Sequence, residues 1–227
     1  WMDPGNDFIR LNGKYRSSIL TYPENGKLPR RLTRWAIEGP SIYRMFNSAD
    51  HPEERSLGER CIVGFGSSGG PPMLNVLYNN HYQIVQSPGY VMIMVEMNHD
   101  ARIIRLESEH NPDEMRPWLG DSVGWWEGDT LVVKTKNHHP QQKFRAAIRH
   151  QILMMDDAEV IERFTRTSDN EILYEFEVSD KKAYRDIWKG EMPLRATNSK
   201  IYEYACHEGN YAMANIPVSY THLRAHE

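Results

Sequence analysis

A chain of 227 residues with a net charge of −4 and a pI near 6.2 lacks the basic footprint of a nucleic-acid binder, and one domain is the default at this length. Hydrophobic residues make up 40% of it, enough for a sizeable core, but no apolar run reaches the roughly 20 residues that a membrane-spanning helix needs.

The opening WMDPGNDF lacks an initiator and begins inside a strand-like stretch, so the N-terminus reads as truncated and any export signal as lost with it. Tyr15 to Tyr22 forms a strand-like patch ended by the turn cluster Pro23-Glu24-Asn25-Gly26. Residues 29–60 are the most polar part, broken by Pro29, Gly39, Pro40 and Pro52. Short helices are expected around Leu32 to Ile37 and Pro52 to Arg60, with Ser48 or Asp50 as caps. Gly64 to Pro72, GFGSSGGPP, invites a phosphate-loop reading. It lacks the Lys-Ser/Thr grip, the G-x-G-x-x-G spacing and any βαβ context, and it reads as a flexible loop.

Strands resume at Tyr82 to Gln86. Val91, Ile93, Val95 and Met97 then alternate with Met92, Met94 and Glu96, a strand apolar on both faces and so expected to be buried on both. Asn98-His99-Asp100 supplies turn chemistry, and the return strand Ala101 to Leu106 puts Arg102, Ile104 and Leu106 on one face. Glu96, His99 and Arg102 are thereby expected to converge at one end of this hairpin. A carboxylate, an imidazole and a guanidinium within reach of one another tune each other's pKa and can do acid/base work; the bland alternative is a charge-capped hairpin end.

Glu127-Gly128-Asp129-Thr130 is a two-residue turn with Gly first, the pattern of a type II′ hairpin. In that register Trp126 faces Leu131, with Val133 on the same side, and Trp125 sits with Val132 on the other. One indole is then expected in the core, and Trp118 adds a third nearby. Aromatic platforms bind sugars, aromatic rings and cations, although tryptophans in β-proteins are more often core.

His138 and His139 are adjacent on an extended chain, so they point apart and make a poor metal pair; an exposed loop is expected. Ala158 to Val178 is a third hairpin around Ser168-Asp169-Asn170, with Ile172, Tyr174, Phe176 and Val178 facing in. A strand around Ile187 to Leu194 follows, then Lys200 to Ile216, whose last part is expected as a short helix. Pro217 to Glu227 reads as a translated sequencing-library adapter, so His222 and His226 are discounted as ligands. Successive hairpins with local turns predict a mostly β fold over residues 1–216: an antiparallel meander closing into a single lipocalin- or calycin-like barrel with short peripheral helices. Cys61 and Cys206 would close a long loop in a secreted protein and be buried thiols in a cytosolic one.

The strings ERCIVGFGSSGGPPML, NNHYQIVQSPGYV, EMNHDARIIR, WLGDSVGWWEGDTLVV, ERFTRTSDNEILYEFEV and IYEYACHEGNYAMANI resemble a large group of bacterial proteins common in acidobacterial and other soil or aquatic genomes. The resemblance covers most of residues 1–216 and brings no established activity with it. Members usually begin with an export signal, which implies a periplasmic or secreted protein and favours a Cys61–Cys206 disulfide. The resemblance puts a small polar residue where His81 stands, which sets His81 aside, and it makes Trp126 the better candidate of the tryptophan pair.

The resulting expectation is an exported β-barrel enzyme acting on a small organic molecule, a sugar or an aromatic, by hydrolase- or lyase-type acid/base chemistry. His99 would move the proton, Glu96 would orient it, Arg102 would hold an anionic group, and His207 is the second acid/base candidate. Trp118 and Trp126 would form the apolar wall, with Asp121, Tyr204 and Glu208 as further substrate-binding candidates. The alternative is a non-catalytic, lipocalin-like binding barrel. A third reading, a divalent-metal hydrolase using Glu96, His99 and His207 or Glu208, has no HxH, HExxH or CxxC spacing behind it, so no cofactor is assigned.

Overall fold

The period-two stretches all become strands. A computed structural model describes residues 9–11, 13–32, 53, 55–147, 150–211 and 213. The strands are β1 Arg10–Leu11, β2 Lys14–Tyr15, β3 Leu20–Tyr22, β4 Tyr82–Ser87, β5 Tyr90–Val95, β6 Ala101–Leu106 and β7 Asp121–Glu127. After them come β8 Thr130–Lys136, β9 Phe144–Ala147, β10 His150–Leu153, β11 Glu159–Ser168, β12 Glu171–Ser179 and β13 Trp188–Arg195. Nine of these form one sheet in the order β3-β13-β12-β11-β8-β7-β6-β5-β4, while β1–β2 and β9–β10 are separate ribbons.

Two features depart from the expected closed antiparallel barrel. β6 and β7 run parallel, with Ile104 opposite Ser122 and Leu106 opposite Gly124. Residues 107–120 carry the chain back between them, in line with the dozen or so residues that a parallel crossover requires. The sheet also stays open, because β4 pairs only with β5 and β3 only with β13. The chemistry of β13 accounts for this. Its edge toward β3 is used by Glu191, whose N–H donates to the Ile19 carbonyl. Two residues on, along the same edge, Pro193 has no N–H to continue the ladder.

The sheet nevertheless curls strongly. Laid flat, β4 and β13 would be seven strand spacings apart, roughly 33 Å. Instead Ile84 of β4 and Leu194 of β13 line one cleft. The interior of the curl holds the main core, in which Val91, Ile104, Val133, Val160, Phe176 and Trp188 pack with Met73, Leu74 and Met154. Each such aliphatic side chain contributes about 1.5–3 kcal/mol through burial.

The turn at Gly128-Asp129 forms as expected. Glu127 pairs with Thr130 and Trp126 with Leu131, and Gly128 takes φ +60°, which its missing Cβ permits. The third hairpin is likewise as read, with Tyr174, Phe176 and Val178 buried.

Other expectations fail. Neither Trp125 nor Trp126 is core; among the described residues the buried indole is Trp188. On β5, only the face carrying Val91, Ile93 and Val95 is buried, since Met92 and Met94 look onto a partly exposed outer surface. Gly64 to Pro72 is no free loop: Ser67, Ser68, Gly70, Pro71 and Pro72 are buried, drawn in by Met73 and Leu74, which enter the core. Short 3₁₀ turns stand at Met97–His99 and Pro140–Gln142, and Glu53, Tyr211 and Met213 are helical at the margins of the described residues. The stretch up to Arg60 turns instead, with Arg60 N–H donating to Ser56 O and Ile62 N–H to Leu57 O. The proposed helix at 32–37, the caps Ser48 and Asp50, the end of the 200–216 segment and the tail 217–227 lie outside the described residues, Leu32 and Met213 apart.

Candidate functional site

The curled sheet has two unlike ends. At one, the β7–β8 and β11–β12 turns and the end of β13 surround a cleft of about 660 Å³. Its walls are the inward-facing residues of five strands: Ile84, Val91, Ile93, Leu131, Phe164 and Ile172. Trp126 stands on its rim, 44% exposed, and Arg166 and Arg195 flank it. Both arginines are paired, with Asp169 and Glu171 respectively.

One side-chain layer deeper lies a buried polar cluster whose position follows from strand register. Arg102 is the cross-strand neighbour of Ile93, Glu162 lies two residues before Phe164, and Tyr174 two after Ile172. Arg102, 2% exposed, reaches across the interior to Glu162, which is fully buried. Its Nη1 donates to Glu162 Oε2 at 2.6 Å and its Nη2 to Oε1 at 3.1 Å, a bidentate pair. Tyr174 Oη donates to Glu162 Oε1 at 2.7 Å and accepts from Met73 N–H at 2.8 Å, tying the cluster to the buried loop. Tyr82, partly buried at the cleft, donates to Ser68 O at 2.8 Å. Burial pulls the Arg102 pKa down, but the Glu162 charge more than reverses this, so the guanidinium stays charged. Burial, then Glu162, pushes the Tyr174 hydroxyl well above its ordinary range. The cluster is therefore a fixed ion pair with a neutral phenol.

The opposite end of the sheet is closed by the buried loop and by the C-terminal segment. There Glu96 accepts from Tyr202 N–H at 3.0 Å and from His81 Nδ1 at 2.9 Å. Burial pushes the Glu96 carboxyl up, but the hydrogen bonds from Tyr202 and His81 outweigh it and hold the group below its usual value. His99 Nε2 accepts from Tyr204 N–H at 3.3 Å. Glu96 and His99 thus grip the main chain of residues 202–204. The Cys61–Cys206 disulfide, with Cα atoms 5.7 Å apart, pins the segment further on. Tyr204 packs on Val76, Val95 and Met97, and burial pushes its pKa up to about 12. His207 and Glu208 are exposed.

The expected trio is accordingly not brought together: Glu96 and His99 face the C-terminal segment, and Arg102 faces Glu162. Among the expected wall residues, Trp126 lines the open cleft. Trp118 and Asp121 line a different cleft of about 450 Å³, outside β6. Trp118 stacks on His139 with ring centroids 3.7 Å apart. The Asp121 carboxylate is saturated by Arg105, His110 and Asn111. Among the described residues no group of three or more His, Cys, Asp or Glu is placed to hold a metal. Among the described residues no helix is long and apolar enough to cross a membrane.

Sequence reasoning missed Glu162, read Tyr174 only as a core residue, and set aside His81, which contacts Glu96. Glu162 had a signal: it sits between Val160 and Phe164 on a face that is otherwise apolar. His138, read as exposed, is fully buried, while His139 points the other way and accepts from Gln141 N–H. No profile of a known protein family and no curated protein matches this chain.

Proposed function

We propose that this protein binds a small, largely apolar molecule, an aromatic ring or a sugar face, in the cleft at the open end of the sheet. The observation that carries the reading is the cleft itself. Strands from both ends of an incompletely closed sheet line one concave space of about 660 Å³. That volume suits a small ligand, and its floor is apolar with polar groups at the rim. Trp126, left exposed at the rim, supplies a stacking surface.

The test is titration of the purified chain with 1-anilinonaphthalene-8-sulfonate, p-nitrophenol and glucose, read by ligand or tryptophan fluorescence. Saturable binding that weakens at least tenfold in Trp126→Ala and in Phe164→Ala, with circular dichroism unchanged, supports the site. Binding indifferent to both substitutions would place the ligand elsewhere.

A second reading, a hydrolase- or lyase-type enzyme on the same ligand, is favoured by the Arg102–Glu162–Tyr174 cluster directly beneath the cleft floor. It draws on Glu162 rather than His99, whose acceptor nitrogen is committed to Tyr204. Turnover of p-nitrophenyl esters or glycosides that Glu162→Gln abolishes while leaving ligand binding intact would favour this reading. The Cys61–Cys206 disulfide supports a place in an oxidising compartment, periplasmic or secreted.

A further inference from the structure

The closed end of the sheet contains an unbalanced charge. Arg145, from β9, is 2% exposed. Its Nη1 donates to Gly70 O at 3.1 Å and to Pro71 O at 2.6 Å. Its Nη2 donates to Gln142 Oε1 at 3.3 Å and faces His138 Nδ1 at 3.5 Å. All four acceptors are neutral, and Nε has no hydrogen-bond partner. The carboxylate whose field reaches Arg145 is Glu162, and both its oxygens are already taken by Arg102. Two buried guanidiniums thus share one carboxylate, leaving one positive charge over. A charge withdrawn from water is costly unless paired, and guanidinium geometry matches an oxyanion well.

Arg145 does not lie in a sealed interior. It lines a cleft of about 340 Å³ whose other charged walls, among the described residues, are Arg60, Lys143, Glu53 and Arg55, the last paired with Glu59 at 3.9 Å. Among the described residues, Arg145, Arg60 and Lys143 outnumber the acid Glu53, and the most buried of these cations has no carboxylate of its own, which marks a place suited to a negative ligand. We infer that this cleft binds a small oxyanion, a phosphate or a carboxylate, which completes the pairing of Arg145. The site lies at the end opposite the Trp126 cleft, and the inference stands whether or not that cleft binds a ligand.

Thermal unfolding of the whole chain in rising inorganic phosphate, with sodium chloride replacing it at matched ionic strength, reads the site out. A parallel arm with acetate and succinate separates tetrahedral from planar oxyanions. The expected result is a saturable rise in Tm with at least one of these anions, absent with chloride, since a ligand that binds only the folded state stabilises it by mass action. Arg145→Gln removes that rise. Should Arg145→Gln fail to fold, the rim double substitution Arg60→Gln with Lys143→Gln decides, because it leaves the buried network alone. It is expected to weaken the apparent affinity at least tenfold. Stabilisation no greater than chloride gives, or an anion effect unchanged in the rim variant, overturns the inference.

Discussion

Glu162→Gln should be among the most damaging single substitutions in this chain. Glu162 accepts two hydrogen bonds from Arg102, at 2.6 and 3.1 Å, and one from Tyr174 at 2.7 Å. Glutamine keeps the shape but turns one acceptor into a donor that meets the Arg102 guanidinium head-on, leaving that charge buried and unpaired. Breaking one side of a buried pair costs about 3–5 kcal/mol. Arg102→Met should lose a similar amount, because the carboxylate is then left hydrogen-bonded by Tyr174 alone, with only the more distant field of Arg145 beside it. The double substitution Arg102→Met with Glu162→Gln removes both charges, so its loss should fall short of the sum of the singles by about 2–3 kcal/mol. Urea unfolding at neutral pH, disulfide intact, measures all three through the buried Trp188. With an m-value of about 2 kcal/mol/M, the Glu162→Gln midpoint drops by roughly 1.5–2.5 M. Additive losses within about 0.5 kcal/mol, or a single loss under about 1 kcal/mol, would refute the view that this pair is one electrostatic unit.

Replacing Cys61 and Cys206 by serine opens a loop of 145 residues, and chain entropy puts the loss at up to about 5 kcal/mol; a Tm unchanged on reduction would contradict this. His138 is held neutral, its pKa depressed well below 6.5 by burial and then by the Arg145 charge. Its unfolded form binds a proton that the native form refuses, so its contribution is complete above about pH 6.5 and is lost as pH falls from there toward the depressed folded value. His138→Gln should therefore flatten the fall of Tm below pH 6.5, by up to about 1.4 kcal/mol per pH unit; an identical slope in the two proteins would sink the assignment. A methyl group at Gly190 would lie 2.3 Å from Phe176 Cζ and 3.0 Å from Ile19 O, so Gly190→Ala should cost about 1–3 kcal/mol in urea unfolding, and a neutral result would mean that β3 and Phe176 yield easily.

The strands were legible because hydrophobic alternation is a local property, and so was the Gly128-Asp129 turn, whose register follows from two residues. The site was harder to read. Nearness in sequence suggested that Glu96, His99 and Arg102 meet, yet period-two parity already separates them. Arg102 shares the inner face with Val91, Ile93 and Ile104, while Glu96 follows Val95 at the end of the strand and turns away. The true partner of Arg102 is 60 residues on, and only the curl of the sheet closes that distance. Arg145 sits on the separate ribbon strand β9 and His138 in the connector before it, and the burial of both depends on how the 64–74 loop folds back. No local pattern encodes that.

The incomplete closure of the sheet is what links the fold to the proposed binding cleft. Were β4 hydrogen-bonded to β13, Ile84 and Leu194 would be neighbours in a ladder, and the space between them would be filled by their own side chains. Pro193 prevents this by removing one N–H from the edge that β4 would need, and β3 covers that edge only at Lys189 and Gly190. The gap therefore falls at the end of β13 beside Trp126, over the apolar layer. The other end is stopped by Met73, Leu74 and the disulfide-held C-terminal segment. A ligand reaching the interior from the cleft would meet Phe164 and Ile172 first, with the Arg102–Glu162 pair behind them. That order puts apolar contact before charge, as a site selecting shape first and polarity second requires.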